Sequence, residues 1–199
     1  MKLPVALTAL ALMSMSPADA QHTAAVTGSI NGTVTAEVEK TGLMRGKKHV
    51  IAFSSVSGRV GFDPAQPGKA SLQVLVKTAD FRVLDTWVSD KDKIKVAQLT
   101  RSADVLDAAR HPEIRFESWS GFRPDGVAGK YRVAGMLTVR GRTQPVELLA
   151  TLHGLTATGT VTFSMSSFGI KPPSAALGAV GTRDEMTLNF TVSAVTVSR

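Results

Sequence analysis

From Met186 to Ala194 the chain alternates without an error. Met186, Leu188, Phe190, Val192 and Ala194 are apolar, and Thr187, Asn189, Thr191 and Ser193 between them are polar. A strand sends successive side chains to opposite sides, so this rhythm fits a half-buried strand and does not fit the 3.6-residue period of a helix. The same step recurs along most of the chain. Ile30, Val34, Ala36 and Val38 oppose Asn31, Thr33, Thr35 and Glu37, and a second run, Val50 to Phe62, carries Val56, Gly58, Val60 and Phe62 on one face. Leu72, Val74, Val76 and Thr78 follow, then Ile114, Phe116 and Ser118, then Val133, Gly135, Leu137 and Val139. Val146, Leu148, Ala150 and Leu152 lead into Val161, Phe163 and Met165. Asp63-Pro64, Pro67-Gly68, Pro124-Asp125-Gly126, Arg140-Gly141-Arg142 and His153-Gly154 mark the connections as turns.

The count is eight strands joined mostly by hairpin-length turns. Eight antiparallel strands with one apolar face form either a sandwich or a closed barrel. The barrel is the expectation here, because closure removes the exposed edges and eight strands enclose a lumen the size of one small ligand. With 43% hydrophobic residues there is material for a core, and with no cysteine the chain has no disulfide staple, thiolate metal site or thiol nucleophile.

The rhythm breaks between Asp85 and Pro112. Ser89 followed three residues later by Asp92 is a capping-box-like helix start. Ile94, Ala97 and Arg101 then fall on one face at helical spacing, and Ser102 offers a second cap ahead of Val105, Leu106 and Ala109. Two short helices with a break near Thr100 are predicted. They are too sparsely apolar to stand alone, so they form a helical insertion between strands 3 and 4 that closes one end of the barrel. Asp85 is expected to pair with Arg82 or to cap the turn into the helices.

Residues 1–20 read as a secretory signal: Lys2, an apolar run from Val5 to Met15, and Ala18-Asp19-Ala20 as a cleavage site. The run is too short to span a bilayer. Residues 21–199 then make one exported domain, and the periplasm is the expected location. The formal charge of +7 and a pI near 10.0 do not point to nucleic acid, since export separates the chain from it and the cations are spread out. Arg45, Lys47, Lys48, Arg82, Lys91, Lys93 and Lys95 either flank a cavity mouth, where they would attract a phosphate or a membrane surface, or are ordinary solvated charge.

No catalytic or metal constellation stands out. His22, His49, His111 and His153 are far apart, and there is no nucleophile elbow or phosphate-cradling glycine loop. A hydrolase would need Ser, His and Asp gathered from distant strands, which only the folded geometry can disclose.

Five segments also carry a resemblance. Phe53-Ser54-Ser55-Val56-Ser57-Gly58 with Phe62-Asp63-Pro64 is the first, and Asp85-Thr86-Trp87-Val88-Ser89 with Lys91-Asp92 the second. His111 to Ser118, Gly135 to Gly141 and Phe168-Gly169-Ile170-Lys171-Pro172-Pro173-Ser174 complete the series. In this order they resemble the YceI-like family of periplasmic polyisoprenoid-binding proteins over nearly the whole of residues 21–199. The resemblance implies a lipocalin-like antiparallel barrel whose apolar cavity takes up a long prenyl chain or similar lipid. The opening differs: many members begin with an Asp-x-x-His-Ser-like strand, whereas here Gly28 to Lys40 runs into Gly42-Leu43-Met44-Arg45-Gly46.

The expected function is binding, transport or storage of a polyisoprenoid lipid or isoprenoid quinone, with no catalysis and no cofactor or metal. The inward, ligand-binding face is expected to be Val74, Val76, Phe116, Leu137, Phe163, Met165, Leu188 and Phe190, with Phe53 and Phe168 near one end. Each of these positions equally suits ordinary core packing. Gly135 and Ala150 are small and make room. The competing reading is an interaction module that docks a membrane redox protein, its barrel filled by its own side chains. A transient membrane-surface contact and a homodimer stay open.

Overall fold

In the computed structural model, which describes residues 26–175 and 179–196, the strands are β1 (Val26–Gly42), β2 (Lys48–Phe62), β3 (Ser71–Lys77) and β4 (Phe81–Val83). After helix α1 (Asp90–Arg101) come β5 (Glu113–Ser118), β6 (Arg123–Pro124), β7 (Lys130–Val139), β8 (Arg142–His153), β9 (Thr156–Ser164), β10 (Ser174–Ala175) and β11 (Val180–Thr196). Eight of them, in the order β1-β11-β9-β8-β7-β5-β3-β2, pair antiparallel, and β2 pairs back onto β1. The sheet is therefore a closed eight-stranded barrel, with α1 between its third and fourth strands. The short β4, β6 and β10 pair antiparallel with β2, β7 and β11. The signal reading of residues 1–20 lies outside the described residues.

Closure is carried by the long strands. β1 and β11 are 17 residues each and β2 is 15, long enough to wrap around the axis. The register slips where β1 meets β2 between Gly32 and Val34, and where it meets β11 between Val38 and Lys40. Such irregularities bend a strand and sharpen its twist. The alternation in sequence becomes alternation in burial: Val133, Leu137 and Val139 of β7 are buried while Arg132 and Met136 face solvent.

Two inward glycines shape the lumen differently from the expectation. A Cβ on Gly135 would lie 2.5 Å from Cζ of Phe116, and one on Gly159 would lie 2.4 Å from Cζ of Phe190. The space those glycines leave is thus occupied by the Phe116 and Phe190 rings.

Helix α1 starts as the sequence predicts. Ser89 accepts a hydrogen bond from the Asp92 amide, and its hydroxyl donates to the Asp92 carboxylate. The predicted second helix is not formed. Ser102 ends α1 instead of opening a new one, and residues 103–110 run through turns in which Asp107 adopts a left-handed conformation, φ 50°. Val105 and Leu106 are buried all the same, because the turns fold them onto the barrel end. The buried side of α1 is that of Val96, Ala97 and Thr100, whereas Ile94 is 60% exposed. Arg101 fixes the helix to the rim: its guanidinium donates to the Ala79 carbonyl and lies 4.2 Å from the centre of the Phe81 ring. Met165 is not the end of a strand either; β9 stops at Ser164, and Met165–Phe168 form a 3-10 turn.

Candidate ligand cavity

The two barrel ends differ. At one, Phe62 packs against Phe122 and Tyr131 at centroid distances of 5.5 and 5.3 Å, making an aromatic plug. The other end, where the β1–β2 and β7–β8 connections lie, holds a cavity of about 190 Å³. Its roof is Val96, Leu99 and Thr100 of α1 with Val105 and Leu106 of the following turns, and its walls include Ala36, Val38, Ile51, Phe53, Val139, Phe163 and Met186. Below it a pocket of about 80 Å³ shares Ile114 and Leu188 with the cavity. A third, of about 70 Å³, shares Leu72, Leu148, Phe190 and Val192 with the second and ends at the plug. The lumen is one apolar tube, pinched twice by its own side chains.

Nine of the ten expected site residues line this tube. Phe53, Phe163 and Met165 line the outer cavity, Leu188 the outer and middle sections, Val74, Val76, Phe116 and Leu137 the middle, and Phe190 the middle and inner. Phe168 does not line it. Its ring meets Phe163 edge-on at 5.0 Å and is fully buried behind it. Gly169 follows in left-handed conformation, φ 70°, and its carbonyl accepts a hydrogen bond from Arg140, whose other guanidinium nitrogen donates to the Ala103 carbonyl. One arginine thus holds both the turns that follow α1 and the Phe168 turn against the mouth.

The polar part of the rim was not foreseen. Asp85 pairs with His49, 36 positions earlier, and not with Arg82: His49 Nδ1 donates to Asp85 Oδ2 at 2.5 Å, and the Val50 amide donates to Oδ1 at 2.7 Å. The Asp85 side chain is fully buried. Trp87 leans on the His49 ring at 5.2 Å and donates its indole N–H to the Lys48 carbonyl at 2.7 Å, so it is a strut of the rim. Lys40 also lines the cavity. Burial holds its ammonium pKa below the usual lysine value, with the charge of Asp85 pulling it partly back. The signal for Lys40 was in the sequence, two residues beyond Val38 on the inward parity of β1.

Three of the seven cations singled out in the sequence are in ion pairs. Lys48 pairs with Glu37, Lys93 with Asp90 and Lys95 with Asp92. For Lys48, Lys93 and Lys95, paired surface charge describes the arrangement. The His49–Asp85 pair has the look of part of a hydrolytic triad, yet among the described residues no hydroxyl hydrogen-bonds His49.

A closed antiparallel barrel with an apolar lumen, roofed by a helix at one end and carrying an aromatic cluster at the other, defines the class of lipocalin-like barrels. Within that class the chain belongs to the YceI-like family, whose domain model matches residues 18–194. It is 32% identical over 131 residues to a UPF0312 protein of Pseudomonas savastanoi, covering 61% of this chain and 63% of that one. It is 33% identical over 102 residues to a UPF0312 protein of Azotobacter vinelandii, 51% and 48% of the two chains. The matched region thus spans less than two thirds of either relative. Among solved structures, Burkholderia cenocepacia BcnA superposes with a TM-score of 0.63 at 26% identity, over 82% of this chain and 96% of that one. The YCEI protein of Campylobacter jejuni shares the fold, with a TM-score of 0.57 at 17% identity over 75% and 85% of the two chains. The family's barrel is a binding fold and not one known for enzymes.

Proposed function

We propose that this chain is a periplasmic carrier or store for a polyisoprenoid lipid or isoprenoid quinone, held by burial of its chain without a chemical step. The observation that carries this reading is the 190 Å³ cavity under α1, continuous in its lining with two deeper apolar pockets. A cavity of roughly 150 Å³ already takes up benzene, so one isoprene unit fits the outer section alone. Burying its five carbons is worth about 4 kcal/mol at ~0.8 kcal/mol per carbon, and micromolar affinity needs about 8 kcal/mol in all. Two or three units therefore suffice once ordering costs are met. They would reach the middle pocket by displacing Ile114 and Leu188, which separate it from the cavity.

Native mass spectrometry of the protein taken gently from the periplasm, followed by extraction and identification of what travels with it, tests the reading. A stoichiometric prenyl lipid or quinone is the expected result. A protein that is empty, and stays empty after incubation with prenyl lipids, overturns it.

A further inference from the structure

The inward face of β1 is apolar at Val34, Ala36 and Val38 and then places Lys40 in the cavity wall, 8% exposed. Among the described residues no carboxylate lies within ion-pair distance of the Lys40 ammonium, and no acceptor hydrogen-bonds it, whereas Lys48 just along the hairpin has Glu37 at 3.0 Å. The acid whose charge acts on Lys40 is already committed: Asp85 spends both oxygens on His49 and the Val50 amide. The ammonium keeps some open surface, since among the described residues no buried side-chain nitrogen is left without a partner. A desolvated cation facing an apolar cavity is costly, and it persists where something else completes it. Among the described residues lining this cavity Lys40 is the permanent cation; His49, with Nδ1 donating to Asp85, presents a lone pair at Nε2 when neutral.

We infer that Lys40 anchors the headgroup, and that the preferred occupant is an apolar chain ending in an anion, a carboxylate or a phosphate monoester, in preference to a neutral alcohol or quinone. This rests on the lipid-carrier reading and narrows it. The chain fills the space between α1 and the β-wall while the anion supplies the charge-assisted hydrogen bonds that Lys40 lacks. Lys40 as a whole is only 8% exposed, so the gain on pairing is larger than for a surface lysine.

The test uses one C15 chain with three heads, farnesol, farnesoic acid and farnesyl phosphate, titrated at pH 7 into the wild type, Lys40→Met and Lys40→Gln. The wild type should bind both anions at least about tenfold more tightly than farnesol. Both variants should bring the three ligands within about twofold of one another, the anions losing their advantage over farnesol. Whichever anion binds more tightly identifies the source as carboxylate or phosphate. Equal affinity for all three heads in the wild type overturns the inference, and so does a preference for anions that survives in folded Lys40→Met. If the folded wild type binds none of the three, the lipid-carrier reading itself fails, a result distinct from loss of headgroup preference. Circular dichroism and an unfolding midpoint accompany each titration; methionine keeps the stem of the lysine and removes its charge, so the variant is expected to fold.

Discussion

Filling the outer cavity from its wall separates ligand binding from stability. Ala36 is buried, lines the cavity, and lies between Ile51 of β2 and Leu188 of β11 in register. Ala36→Phe would place a phenyl ring in a free volume of about 190 Å³, larger than the roughly 150 Å³ that accepts benzene. Burying the ring returns about 1.5–3 kcal/mol, against ~1–3 kcal/mol for any overpacking. The unfolding midpoint should therefore change little. Binding should change greatly: losing room for one isoprene unit forfeits about 3–4 kcal/mol, a weakening of between a hundredfold and a thousandfold. The assay is isothermal titration with farnesol or its anionic analogues beside a thermal melt. Val96→Phe approaches the same space from α1 and serves as the second variant should Ala36→Phe misfold. A folded variant that binds like the wild type would place the ligand elsewhere.

Other expectations follow from the rim and the wall. Asp85→Ala leaves the Val50 amide without its acceptor and His49 without its partner, a loss of about 1–3 kcal/mol or more in urea denaturation; Asp85→Asn, which keeps an acceptor, should recover a good part of it. If the two behave alike, the carboxylate is not holding the rim through those bonds. Gly135→Ala puts a methyl 2.4 Å from the Glu117 carbonyl and 2.5 Å from the Phe116 ring, so it should cost ~1–3 kcal/mol, and an unchanged midpoint would contradict the packing described. Because burial lowers the Lys40 pKa in the folded state, between that value and 10.5 the unfolded chain binds more protons than the folded one. Stability then rises with pH through that window. The wild type should gain on Lys40→Met as pH increases toward 10.5, and a pH-independent difference would mean the ammonium is not desolvated.

Much of this molecule is written in local sequence. The two-residue period of Met186 to Ala194 and its counterparts needs no distant information to specify strands, and eight such runs separated by turn residues leave few architectures open. The cap at Ser89 fixes the start of α1 for the same reason, since its partner Asp92 is three residues away. Inward parity was legible too, which is why Val74, Val76, Phe116, Leu137, Phe163, Leu188 and Phe190 face the lumen; Met165 reaches it from a 3-10 turn and Phe53 from beyond a register shift, which parity does not give.

What periodicity could not say is which inward side chains surround open space and which fill it. Phe116 and Phe190 come to fill the space over Gly135 and Gly159 only once β5, β7, β9 and β11 are in register, Gly159 opposite Phe190 and Gly135 opposite Ser118, two residues from Phe116. Phe168 shares the apolar character of Phe163 but is turned behind it by the 3-10 turn and Gly169. The turns after α1 displaced a plausible second helix because Val105 and Leu106 reach the barrel end that way, and tertiary burial outweighs a weak local preference. Asp85 found His49 across 36 residues, and Lys40 came to face a cavity whose roof is built from residues 96–106. Strand, turn and cap are decided by neighbours in the chain. The shape of the lumen and the charge at its mouth are decided by register and closure, which bring together residues that the sequence keeps far apart.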